Sequence, residues 1–347
     1  MSVGPAYGTS QPIGPKSVGV LGVAHASEVA PPNGKPLSGI RVRAAALTVG
    51  ERSDGTRVIV AGAGDTVRIW SLDTGKPLWA SLKGHDLDVV AVALGRRTDG
   101  TRVIVSGSWD ATIRIWDLDT GKPIGRPLSA PADIWTVAVG QRSDGTPVII
   151  SGGEDKAIHL WSLDTGEPLG KPLKGHKDQV LKVVVGQRRD GTRVIASASY
   201  DKTIRIWDLD TGKPVGRPMK GHTGEVLEVA ISKRRGGAGV IVSAGGDNTV
   251  RRWDLESGRP LGRPLVGHSD LVLALAIGEV RGRTTIISAG GDKVLRLWDL
   301  NTGRSLGRPW KGHTEPVWAV AIGQRTDGAK VIVSSGYDAS VRIWRFE

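Results

Sequence analysis

The groups able to carry chemistry are few in type and regular in spacing. Seven histidines stand against 35 aspartates and glutamates, and there is no cysteine. That absence removes a thiolate metal site, a cysteine nucleophile and a disulfide framework. No histidines or carboxylates fall at metal-ligand spacing. The Asp-Gly turns lack the further acidic ligands of a calcium loop, and no Gly-rich phosphate fingerprint is present. Neither a metal nor a cofactor is expected. What recurs is Asp followed by Trp. Asp65, Asp110, Asp155, Asp201, Asp247, Asp292 and Asp338 stand five or six residues before Trp70, Trp116, Trp161, Trp207, Trp253, Trp298 and Trp344. A Gly-His pair precedes five of these tryptophans by 30 or 31 residues, at His85, His176, His222, His268 and His313. The first and third copies carry Ile40 and Ala130 there instead.

The anchors are 45 or 46 residues apart, so the chain holds seven units of one length. Fixed periods of this size mark repeat architectures, and the usual reading of a 347-residue chain as two or three domains does not apply. Val58-Ile59-Val60, Val103-Ile104-Val105, Val148-Ile149-Ile150 and Val331-Ile332-Val333 are short β-branched runs bounded by Gly and Asp turns. They read as strands buried on both faces. Asp-Gly pairs at residues 54, 99, 144, 190 and 327 sit where a tight hairpin should turn, and suggest type I′ geometry. A second turn, Asp-Thr-Gly-Lys-Pro, follows Trp70, Trp116 and Trp207. Each unit therefore supplies four short strands, a to d, and no helical pattern appears.

Gly-His, about 30 residues, then Trp-Asp, repeated in register, resembles the WD40 family over Asn33–Glu347, a span of 315 residues. The resemblance implies an all-β fold, a seven-bladed propeller of four-stranded blades. The last unit stops before a strand d. The orphan copy, Asn33-Gly34-Lys35-Pro36-Leu37, lies near the N-terminus and is expected to complete the last blade, removing two open sheet edges. Residues 1–32, rich in Gly and Pro, are expected to form a partly mobile leader. The family also implies a hydrogen-bonded tetrad of loop His, strand-b Ser, turn Asp and strand-c Trp. Its members would be His85, Ser106, Asp110 and Trp116; His176, Ser197, Asp201 and Trp207; His222, Ser243, Asp247 and Trp253; His268, Ser288, Asp292 and Trp298; and His313, Ser334, Asp338 and Trp344. Ser, His and Asp in contact could suggest a hydrolase. A set that recurs five times, each with a Trp where substrate would enter, reads as structural. Blades one and three lack the His and are expected to open first. His159 and His25 fall outside the tetrads.

Function is therefore expected on the loops. In this family the d–a and b–c loops meet on the top face, where three positions per blade make contacts. One precedes the turn Asp and holds Gly64, Trp109, Glu154, Tyr200, Gly246, Gly291 and Tyr337. A second, five after the loop His, holds Ala45, Val90, Trp135, Leu181, Leu227, Leu273 and Trp318. A third holds Arg43, Asp88, Asp133, Gln179, Glu225, Leu271 and Pro316. The partner-binding candidates are Trp109, Trp135, Trp318, Tyr200, Tyr337, Glu154, Asp88, Asp133, Glu225 and Arg43. Together they form an aromatic, mildly acidic mouth on a chain of formal charge +12. Such a mouth suits a peptide or protein segment with apolar anchors and basic residues. The a–b turns hold much of the positive charge, including Arg96, Arg97, Arg188, Arg189, Lys233, Arg234 and Arg235. No aromatic residue is interleaved for base stacking, so a solvated face is favoured over nucleic-acid association.

No apolar run reaches the ~20 residues of a membrane span. The stretch Val18–Ala24 is too short for an export h-region, so a cytoplasmic monomer is expected. The Asp-Gly-Thr and Thr-Gly-Lys-Pro turns resemble WD40 arrays from bacteria, actinobacteria especially, which often form the sensor or docking part of signalling proteins. The expected function is a non-catalytic scaffold or sensor module binding a protein partner through its top face. Small-molecule or carbohydrate binding in a central top pocket is the alternative, with nucleic-acid association through the basic face ranked third.

Overall fold

Residues 35, 36 and 44–345 are described in the computed structural model; the leader, His25 and Arg43 lie outside them. Seven four-stranded antiparallel sheets form the ring. Blade one is typical, with strand a at Ala44–Glu51, b at Arg57–Ala63, c at Thr66–Ser71 and d at Leu82–Lys83. Blade seven takes strands a to c from Val317–Gln324, Lys330–Gly336 and Val341–Arg345. Its fourth strand is Lys35–Pro36, with Lys35 opposite Ile343 and Pro36 opposite Arg342. The ring closes through the N-terminal strand, as expected.

The β-branched runs of strand b lose all contact with water. Val58, Ile59, Val60, Val103, Ile104 and Val105 are each 0% exposed. Each core cluster joins one blade to the next. Val103 and Val105 of blade two, for example, pack with Ile149, Trp161 and Leu163 of blade three. The hydrophobic effect thus binds blade to blade, and no blade buries a core alone.

The hairpin expectation needs correction. Gly55 donates its N–H to Arg52 O at 3.1 Å, and Arg52 N–H bonds Thr56 O at 3.0 Å. Ser53, Asp54 and Gly55 therefore form a three-residue loop, a type I turn closed by a left-handed Gly (φ 83°). Asp54 keeps a negative φ and caps the turn, accepting Thr56 N–H at 2.9 Å. The same arrangement closes the hairpins at Gly100, Gly145, Gly191 and Gly328. A type I′ turn needs positive φ at both central residues of a two-residue loop. Only blade six has one, at Arg281 (φ 49°) and Gly282 (φ 71°).

The a–b hairpins also differ from a merely solvated face. The residue before the loop is Arg in six blades, and in four of them its side chain reaches the c–d turn of the next blade. Arg52 Nη2 donates to Asp119 O at 2.8 Å while Ser53 N–H bonds Asp119 Oδ1 at 2.9 Å. Arg97 and Thr98 hold Asp164 the same way, at 2.6 and 3.0 Å. Arg188 and the Arg189 N–H hold Glu256. Arg325 and Thr326 hold Asp73 across the closing seam. Between blades three and four, Ser143 N–H bonds Asp210 Oδ1 at 2.9 Å. Between blades five and six, Arg235 N–H bonds Asn301 Oδ1 at 3.0 Å. There the carbonyl of Asn301 is held from inside the sheet by Arg252, which stands where the six sister strands carry Ile or Leu and is 7% exposed.

Candidate interaction face

The tetrads form in all five blades that carry the loop His. In blade five, His222 Nδ1 lies 2.9 Å from Asp247 Oδ2 and Nε2 lies 2.7 Å from Ser243 Oγ, while Trp253 Nε1–H donates to the same Oγ at 2.8 Å. The other four repeat this, with His–Ser distances of 2.7 Å throughout. A neutral imidazole satisfies every group at once: Nδ1–H donates to the carboxylate, Nε2 accepts the Ser O–H, and Ser Oγ accepts the indole N–H. Burial holds His85 and His313 below the usual imidazole range, against the pull of their aspartates. Burial would raise Asp110, but Thr112, the Asp86 N–H and His85 outweigh it and hold the carboxyl low. The distances are those of a Ser-His-Asp triad. However, Ser106, Ser197, Ser243, Ser288 and Ser334 are each 0% exposed and already accept an indole N–H. No acyl group can reach them, so these sets order the loops.

The turn Asp is the link between that core and the top face. Asp110 Oδ2 accepts Asp86 N–H at 3.0 Å, tying the d–a loop to the b–c turn. Where the His is missing, the turn Asp is exposed, as Asp65 and Asp155 are. Blade three has a partial substitute. His159 Nε2 lies 2.7 Å from Asp155 Oδ2 and its ring stacks on Trp161 at 6.1 Å, while Trp161 still donates to Ser151 Oγ.

The top-face positions that the family resemblance implies are adjacent in the fold. The residue before the turn Asp donates its N–H to the carbonyl of the third position in six blades: Trp109 to Asp88, Glu154 to Asp133, Tyr200 to Gln179, Gly246 to Glu225, Gly291 to Leu271 and Tyr337 to Pro316. The second position is the residue that each a–b ladder skips. Register shifts between Ile134 and Thr136, and between Val317 and Ala319, leave Trp135 and Trp318 unpaired on their strands. Ala45, Val90, Leu181, Leu227 and Leu273 sit at the same bulge. A bulge bends its strand and re-aims the side chain. It was invisible to sequence reading, because period-2 alternation continues on either side.

Two aromatic pairs result. Trp109 meets Trp135 edge to face at 5.3 Å, and Trp318 stacks on Tyr337 at 6.1 Å. Among the described residues, blade one between them offers Ala45 and Gly64. The indole N–H groups of Trp109, Trp135 and Trp318 are buried and have no hydrogen-bond partner among the described residues. Tyr337 and Leu87 are large side chains left exposed, at 43% and 53%. Asp88 and Glu154 are exposed, while Asp133, Tyr200 and Glu225 are half-buried. Burial, with Glu225 and Asp178 nearby, raises the Tyr200 hydroxyl above its usual range. Beneath the mouth, Lys182 Nζ pairs with Glu228 Oε1 at 2.8 Å. The remaining two non-anchor tryptophans serve elsewhere: Arg52 lies over Trp79 at 4.7 Å, and Trp310, 0% exposed, packs on Trp344.

Comparison with curated proteins gave no match. The crystal structure of the WD40 β-propeller domain of Doa1 shares the fold, with a TM-score of 0.71 over 92% of this chain and 98% of that one, at 20% identity. The sequence pattern described as WD domain, G-beta repeat matches residues 76–117, 166–208, 212–254, 258–299 and 304–345, the five units with the loop His. With more than half its residues so matched and all seven blades closed in one ring, the chain belongs to the WD40-repeat family.

Proposed function

We propose that the chain is a non-catalytic docking module whose top face binds a protein segment. WD40 propellers generally act as protein-interaction scaffolds. The observation that carries the reading here is the two aromatic pairs at the top-face positions, Trp109 with Trp135 and Trp318 with Tyr337. Trp and Tyr are the residues most often found as binding hot spots. The flanking Asp88, Asp133, Glu154 and Glu225 favour a segment with basic residues between its apolar anchors.

The test is capture from source lysate with wild-type and Trp109→Ala/Trp318→Ala baits, both verified as folded by circular dichroism. A protein held by the wild type and lost by the variant supports the reading. Identical captures by both baits would remove it.

A further inference from the structure

The a–b hairpins of six blades share one plan, so departures from it stand out. After the latching Arg, the sister hairpins carry Ser53, Thr98, Ser143 and Thr326, then Asp54, Asp99, Asp144 and Asp327. Blade four places Arg189 at the first of these positions, keeping Asp190 at the second. Blade five places Arg235 at the first and Gly236 at the second, preceded by Lys233 where three sisters have Gln. The turn itself does not need these changes, since the other hairpins close without them. They bring Arg189 and Lys233 to one cleft beside Arg188, which opposes folding by like-charge repulsion. Blade five also gives up the carboxylate that caps the turn elsewhere.

Between these two hairpins lies a cleft of about 420 Å³, within the ~300–1,000 Å³ of small-ligand sites. Its walls are Arg188, Arg189, Lys233, Gly191, Gly236 and Gly237, with no carboxylate among the lining residues. The nearest carboxylates are engaged. Glu256 is taken by Arg188 Nε and the Arg189 N–H, each at 2.9 Å, and Asp190 caps Thr192 N–H at 2.9 Å. Arg189 and Lys233 line the cleft and are exposed, as is the neighbouring Arg235. Gly236 and Gly237 run at positive φ (91° and 83°) with open space where a side chain would be, leaving bare backbone beside the cations.

From this we infer an anion-binding site at the bottom-face seam of blades four and five, fitted to a small free polyphosphate. Two guanidinium or ammonium groups flanking bare backbone match the several oxygens of a multiply charged phosphate better than one carboxylate. The site is separate from the top face and does not rest on the protein-docking reading.

The test is titration calorimetry with inorganic tripolyphosphate at two salt concentrations. Arg189→Ser/Lys233→Gln replaces both cations by the residues of sister hairpins, so the turn is preserved. Arg96→Gln/Arg126→Ser removes the same charge from blade two. The site predicts saturable 1:1 binding, weakened about tenfold or more in the blade-four/five variant, the size of a lost charge-assisted hydrogen bond, and changed less than about twofold in the blade-two control. Equal weakening in both variants would reduce the effect to diffuse charge and overturn the site. So would the absence of saturable binding, or binding only to vesicles of anionic phospholipid with none to free tripolyphosphate.

Discussion

Ser243→Ala and Ser151→Ala are the same substitution at the same place in blades five and three, yet they should not cost the same. In blade five the hydroxyl accepts from Trp253 Nε1 at 2.8 Å and meets His222 Nε2 at 2.7 Å. Removing it orphans two buried groups. In blade three the hydroxyl serves Trp161 alone, at 2.9 Å, because Ala130 replaces the loop His. Removing it orphans one. Both serines are 0% exposed, so solvent relieves neither case, and the lost volume is a single oxygen. At about 1–3 kcal/mol per orphaned buried group, the expected losses are about 2–6 kcal/mol in blade five and about 1–3 in blade three. Equilibrium unfolding in guanidinium, followed by circular dichroism, measures both, provided the m-value stays constant. Ser197→Ala in blade four should track Ser243→Ala. Losses in blades three and five that agree within about 0.5 kcal/mol would mean the His link adds nothing, and the tetrad argument would fail.

Acid should unfold the protein in two stages. His85 and His313 are held below the ordinary imidazole value of 6.5, so the unfolded chain protonates first and stability falls as pH drops below that value. Asp110, Asp201, Asp247, Asp292 and Asp338 are held below 3.8, so their contribution is present above that value and lost below it. A thermal midpoint unchanged from about pH 7 to about pH 4 would contradict the histidine direction, and one unchanged on further acidification below about pH 4 would contradict the aspartate direction. Arg188→Met should cost about 0.5–1.5 kcal/mol, modest because the Arg188 and Glu256 side chains keep 21% and 27% exposure, and a double-mutant cycle with Glu256→Gln should recover most of it as coupling. In hydrogen exchange, blade one, with Ala61 for the Ser and no His, should open first, blade three next with its His159–Asp155 contact, and the tetrad blades last. Equal protection across blades would sink that order.

The architecture was legible because a weak local signal was written seven times. One Asp-to-Trp spacing means little, while seven in register leave few alternatives, and the tetrads follow residue by residue. Local details carried less. Asp-Gly reads the same in a two-residue and a three-residue hairpin loop, and only the Arg52–Thr56 and Gly55–Arg52 hydrogen bonds separate them. The bulge that aims Trp135 and Trp318 leaves no mark in composition. The interblade latches were written in plain residues: Arg just before the loop of six hairpins, and Asp, Glu or Asn three residues after every anchor. Each pair is more than 60 residues apart in the chain, so only the closed ring reveals that they meet. Counting those arginines as solvated charge was the consequence.

The a–b hairpins thus have an interblade role in six blades, and the blade-six hairpin departs from it: it is trimmed to Arg281-Gly282, without the Arg that latches elsewhere. The two faces divide the work. Much of the a–b turn charge is engaged in holding neighbours together, through Arg52, Arg97, Arg188, Arg193 and Arg325. The top-face bulge residues take no part in that ring. Changes at Trp109 or Trp318 should therefore alter binding with little effect on ring closure, whereas changes at the latches should loosen the ring while leaving the aromatic pairs in place.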